Sequence, residues 1–150
     1  MAKKHLTHEE INALPLVDQA LYLEERRHRN RLDEIKRMRK AMEAIESDRA
    51  ALNAEGLHLT ADSMTPVYGD SMQLRLSSLY DAVEVQACLA LLKCGFTVDY
   101  RDDDGSGRYA YSTPILKKGR LRVRLLSIAL SALAQAEREL AEHLQSEAAL

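Results

Sequence analysis

Residues 16–56 read LVDQALYLEERRHRNRLDEIKRMRKAMEAIESDRAALNAEG, and the fold turns on how this stretch is interpreted. Pro15, just before it, suits the first turn of a helix, where its missing N–H costs nothing. One long helix is therefore expected from about Leu16 to Glu55, with Gly56 turning left-handed to end it and Leu57 supplying the apolar contact of a Schellman closure. Along that helix Leu21, His28, Ile35, Met42 and Arg49 share one heptad position, and Val17, Glu24, Arg31, Met38, Ile45 and Leu52 share another. The apolar seam holds from Ile35 to Leu52 and fails from Glu24 to Arg31. A seam this short is most simply filled by another helix of the same chain. In a homodimer, Ile35, Met38, Met42, Ile45 and Leu52 would make the contact.

Where the seam fails, charge takes over. Arg26, Arg27, Arg29, Arg31, Lys36, Arg37, Arg39 and Lys40 face only Asp33 and Glu34 between positions 26 and 40, eight positive against two negative for a local charge of +6. The whole chain carries a formal charge of -2. Like charges crowded on a helix repel, so an anionic counterpart is expected. A second cluster, Lys117, Lys118, Arg120, Arg122 and Arg124, brings the two sets to 13 of the 21 Lys and Arg residues. The counterpart could be an acidic protein surface, a phosphate backbone, or the acidic residues Glu137, Glu139, Glu142 and Glu147 near the chain's own end.

Upstream, Thr7 and Glu10 have capping-box spacing and start a short helix through Ile11 and Leu14. Downstream, the apolar period shortens to two. Leu57 and Leu59, then Met72, Leu74 and Leu76, alternate with polar residues and give two short strands separated by the loop DSMTPVYGDS at 62–71. Ser77 or Ser78 would cap an apolar helix from about Leu79 to Cys94, with Gly95 as its exit. Next, pairing Arg101 with Arg108 across the turn DDDGSG sets Tyr100 opposite Tyr109 and Val98 opposite Tyr111. That register gathers Phe96, Val98, Tyr100, Tyr109 and Tyr111 on one face of an antiparallel hairpin. From Thr113 and Pro114 a last helix is expected to run to about Gln145 with a break at Gly119, although LRVRL at 121–125 could be a strand with its arginines on one side. The expected class is α+β and predominantly helical. A long N-terminal helix is packed by a long C-terminal one, with a central helix and hairpin between them. A helical arm (1–56) and a small body (57–150) would form one cooperative domain.

Several chemistries are disfavoured. The chain has no G-x-S-x-G, no phosphate loop G-x-x-x-x-G-K, no G-x-G-x-x-G and no H-E-x-x-H. Its five histidines are scattered. Asp102, Asp103 and Asp104 would need oxygen ligands where Tyr100 and Tyr111 stand to build an EF-hand, so an ordinary turn is expected and no metal or cofactor. A turn with three aspartates also suits phosphate contact poorly. The two cysteines, Cys88 and Cys94, fall in or beside an apolar helix and read as core thiols of a cytoplasmic protein. No run of about 18 apolar residues is present, so no membrane span is expected. Together these readings point to a non-enzymatic binding protein, an adaptor, regulator or inhibitor, that offers its arginine-rich helix to an acidic protein partner. Sequence-nonspecific DNA or RNA binding through both basic clusters is the alternative. Neither cluster contains an aromatic residue on which bases could stack.

Overall fold

The computed structural model describes residues 4–77, 84–101 and 111–150. The chain divides into two compact units, one ending at Lys36 and one running from Arg37 to Leu150. In the first, the capping box starts helix α1 (His8–Asn12): the Glu10 N–H donates to Thr7 Oγ1 at 3.2 Å, and the Thr7 N–H donates to Glu10 Oε2 at 2.8 Å. The backbone bond from Thr7, with Lys4 nearby, holds the Glu10 carboxyl below its ordinary pKa. Helix α2 (Leu16–Glu46) follows after Pro15. The Leu6 N–H donates to the Tyr22 hydroxyl at 3.0 Å, which ties the chain start to α2 around the buried Ile11.

The expected helix to Glu55 is interrupted. Ser47 turns its hydroxyl back onto the Ala44 carbonyl at 3.0 Å, a side-chain bond that competes with helix continuation. Helix α3 (Arg49–Ala54) then resumes. Gly56 closes it as anticipated, with φ +91° and the Leu57 N–H bonded to the Leu52 carbonyl at 2.9 Å. Met38, Ala41, Ile45 and Leu52 are all in the core of the second unit, so the expected arm boundary at Gly56 lies inside that unit.

The body is a five-stranded mixed sheet of order β1-β2-β6-β5-β3. Its strands are β1 (Met64–Val67), β2 (Asp70–Leu76), β3 (Thr97–Tyr100), β5 (Ile115–Lys118) and β6 (Leu121–Leu125). A separate pair joins β4 (Tyr111–Ser112) to β7 (Ile128–Ala129). Helices α4 (Glu84–Lys93) and α5 (Ala132–Ala148) pack on each other. The class is α+β and mostly helical, as expected, with the long helices at 16–46 and 132–148.

Four local expectations are corrected. Leu57 and Leu59 are buried but form no strand, and the first strand lies instead in the stretch read as a loop, where Pro66 is tolerated because β1 is at the sheet edge. Val98 pairs with Leu116, and Tyr111 with Ala129, so the strand after Phe96 joins the larger sheet rather than its nearest neighbour in sequence. The expected partner Tyr109 and the turn DDDGSG lie outside the described residues, as does the predicted helix start at Leu79. Residues 115–125 form a β-hairpin, not a helix: Gly119, at φ +61°, occupies the first position of the two-residue turn between Lys118 and Leu121. Helix α5 accordingly starts at Ala132 and packs on α4, where the expected neighbour was the first helix.

The pleat sorts the residues of β6 and β2 onto two faces. Leu121, Val123 and Leu125 are buried and alternate with Arg122 and Arg124. In β2, Leu74 and Leu76 are buried opposite Val123 and Leu125. Replacing the fully buried Leu116 with Ala is expected to destabilise the protein by about 2–5 kcal/mol, while Leu144→Ala at an exposed site should change stability by less than about 0.5 kcal/mol. Gly56→Ala should cost about 1–2 kcal/mol, because a β-carbon must take the left-handed conformation and lies 3.2 Å from Gln86 Cγ. Denaturant unfolding of the three variants checks this order.

Candidate binding surfaces

In the first unit, α2 buries none of its residues through Lys36; its buried positions are Met38, Ala41 and Ile45. The basic residues there divide by partner. Arg27 pairs with Glu24, and Arg31 with Glu34 at 2.9 Å, both within one turn of the same helix. Such exposed local pairs contribute only a few tenths of a kcal/mol. Arg26, Arg29 and Lys36, spaced i, i+3, i+10, share one side of the helix and make no ion pair among the described residues. Arg29 buries Nε and one terminal nitrogen without an acceptor. In the second unit, Arg39 pairs with Glu43 at 2.8 Å, and this hydrogen bond raises the guanidinium pKa. Arg37 and Lys40 are exposed there.

Next to the basic strip of the first unit runs an apolar one. Val17, Leu21, Leu32 and Ile35 are exposed, with Leu21 61% accessible and Ile35 39% accessible. The seam foreseen for a homodimer is meanwhile filled from within the protomer. Met38, Ile45 and Leu52 are buried in the core of the second unit, and Met42 packs against that core. Met38, Ile45 and Leu52 cannot reach a second copy without opening the core.

The second basic cluster is split by the strand pleat. Lys118 Nζ donates to Asp48 Oδ1 at 2.7 Å and to the Cys94 carbonyl at 2.8 Å, and lies 5.8 Å from the centre of the Phe96 ring. It fastens the start of α3 and the end of α4 to β5, a structural role. Arg120 is exposed in the β5–β6 turn. Lys117, Arg122 and Arg124 project from the sheet face opposite the core, where Lys117 meets Asp99 at 3.3 Å and Arg122 meets Asp70. Sequence reasoning missed Arg75, which stands beside Arg124 on that face through the β2–β6 register. The alternation of QLRL in β2 carried the necessary sign, but only the partner strand shows which arginine it meets.

Glu137, one of the acidic residues considered as an internal counterpart for the first cluster, pairs with Arg101. Glu139 accepts a bond from Gln135 at 3.1 Å, and Glu147 meets His143 at 3.1 Å. Among the described residues, no three His, Cys, Asp or Glu side chains are grouped to hold a metal ion, and no helix is long and apolar enough to cross a membrane. Comparison of the chain with protein-family models, with curated proteins and with solved structures yields no match.

The cysteines are free. Burial pushes the Cys88 thiol up to about 12 and raises that of the less buried Cys94, with Asp48 adding to the second shift. A raised thiol pKa means less thiolate at any given pH. Native protein should therefore take up iodoacetamide at Cys94 alone, with a rate still rising above the ordinary thiol value of 9.0. Cys88 should react only on unfolding, and mass spectrometry of labelled peptides checks both outcomes.

Proposed function

We propose that this chain is a non-enzymatic binding protein, an adaptor, regulator or inhibitor, whose N-terminal helical surface docks onto an acidic protein partner. The observation that carries the reading is the pair of adjoining strips on α2. Arg26, Arg29 and Lys36 have no carboxylate partner among the described residues, and beside them Leu21, Leu32 and Ile35 are left exposed. Exposed apolar side chains rimmed by guanidinium groups suit a protein surface, where apolar contact supplies affinity and bidentate pairs supply orientation. A phosphate backbone offers those apolar groups little. Between Leu16 and Lys36 the five basic residues are also matched by five acidic ones, Asp18, Glu24, Glu25, Asp33 and Glu34, a net of zero that gives weak general attraction for polyanions. Two free thiols fit a reducing compartment, so a cytoplasmic setting belongs to this proposal.

Affinity capture from the native host tests the reading, with the wild-type chain compared with the double variant R26E/K36E. The wild type is expected to retain an acidic protein, and the variant to retain it roughly tenfold less well at unchanged helicity. A correctly folded variant that keeps every partner overturns the proposal. So does release of the partner by excess mixed-sequence DNA or RNA.

A further inference from the structure

The outer face of the sheet carries a feature independent of the N-terminal helix. Strand register sets two rows across it. One runs Tyr100, Ile115, Arg124, Arg75, Thr65, and the other Thr97, Lys117, Arg122, Gln73. With strands about 4.8 Å apart, the first row extends about 19 Å. Two arginines directly abreast on neighbouring strands repel unless an anion lies between them. Arg122 and Lys117 have Asp70 and Asp99, but Arg75 and Arg124 have no carboxylate among the described residues. Their Nε atoms and the Gln73 Nε2 are buried without an acceptor among the described residues. All three are donors, and they cluster where the register brings Gln73, Arg75 and Arg124 within two residues of one another. A group of unanswered donors calls for an acceptor-rich anion.

The row also states what else the ligand carries. Tyr100, 51% accessible, ends it two strands from Arg124, with the largely buried, branched side chain of Ile115 between them. An aromatic ring and guanidinium planes along one sheet surface can take stacked bases while the arginines hold phosphate. An acidic peptide would use the charges and leave the ring idle. We propose that this outer face binds single-stranded nucleic acid, with Arg75 and Arg124 gripping the phosphate backbone and Tyr100 stacking a base. The net charge of the face is +2, from Arg75, Arg122, Arg124 and Lys117 against Asp70 and Asp99. Binding is therefore focal, a few nucleotides long, and sensitive to salt.

Fluorescence anisotropy of a labelled mixed-sequence 12-nucleotide strand, as DNA and as RNA, tests this on the full chain between about 50 and 200 mM salt. The double variant R75Q/R124Q should bind at least about tenfold more weakly, and its dependence of log K on log salt should be shallower by about 1.4, two phosphate contacts at roughly 0.7 each. Y100A, at an exposed sheet-edge position, should lose roughly tenfold with the salt slope unchanged. R120Q removes a charge outside the face and should bind as the wild type does. Circular dichroism melts identify folded variants, and if the arginine pair does not fold, Y100A and R120Q still decide. Absence of binding at the lower salt overturns the proposal. Equal losses in R120Q and R75Q/R124Q, a Y100A variant as tight as wild type, or displacement of the strand by equimolar hexaglutamate would each overturn it as well.

Discussion

The parallel pairing of β2 with β6 is the constraint on which the body depends. It places Leu74 beside Val123 and Leu76 beside Leu125, all at or near zero exposure, and by the same pleat sends Arg75 and Arg124 to the other face. Because side chains alternate with period two, a slip of one residue would turn the leucines outward and drive arginines into the core. Burying an unpaired guanidinium costs several kcal/mol, so the register is held from both faces at once. Parallel neighbours cannot be joined by a tight turn. The chain between Leu76 and Leu121 therefore has to leave the sheet and return, and α4 lies in that excursion and covers the core with α5.

Much of the fold was legible where a signal is local. Thr7 with Glu10, Gly56 with Leu57, and Gly95 after the apolar run of α4 all behave as their side chains and missing β-carbons dictate. What was not legible is partner choice. LRVRL has strand periodicity, yet it flows into apolar residues that also fit a helix, and nothing nearby says that Leu74 and Leu76 are waiting for it from more than forty positions away. The preference for hairpin neighbours fails for the same reason at Val98, whose partner Leu116 lies in a stretch with helical periodicity. At 47–48 the heptad pattern continued through a break made by one serine hydroxyl, which an apolar repeat does not register.

The basic clusters show why counting charge along a chain locates sites poorly. Lys117 and Lys118 are adjacent in sequence, but the pleat separates them: one meets Asp99 on the outer face, the other fastens α3, α4 and β5 through two short bonds. On α2, a window of +6 resolves into locally paired arginines and a smaller unpaired strip. The partners that dispersed the charge were glutamates three or four residues away, some just outside the basic window. A helix answers charge within one turn, whereas a sheet answers it across strands, and so the same kinds of residues carry different meanings in the two halves of this chain.

That difference bears on what each surface can recognise. Side chains on α2 radiate from a single rod, each with three or more rotatable bonds, so their unpaired cations can follow an irregular protein surface, while the apolar strip beside them limits the approach to one side. On the sheet, Arg75 and Arg124 are held abreast by backbone hydrogen bonds, with Nε already buried, and much of their freedom is lost before any ligand arrives. Preorganised donors favour a ligand with regularly placed acceptors and gain affinity by having less entropy left to lose on binding. A repeating phosphate chain has that regularity, and a patch of carboxylates on a folded protein need not. The rigid face and the pliant helix are therefore suited to different partners, although both are built from arginine.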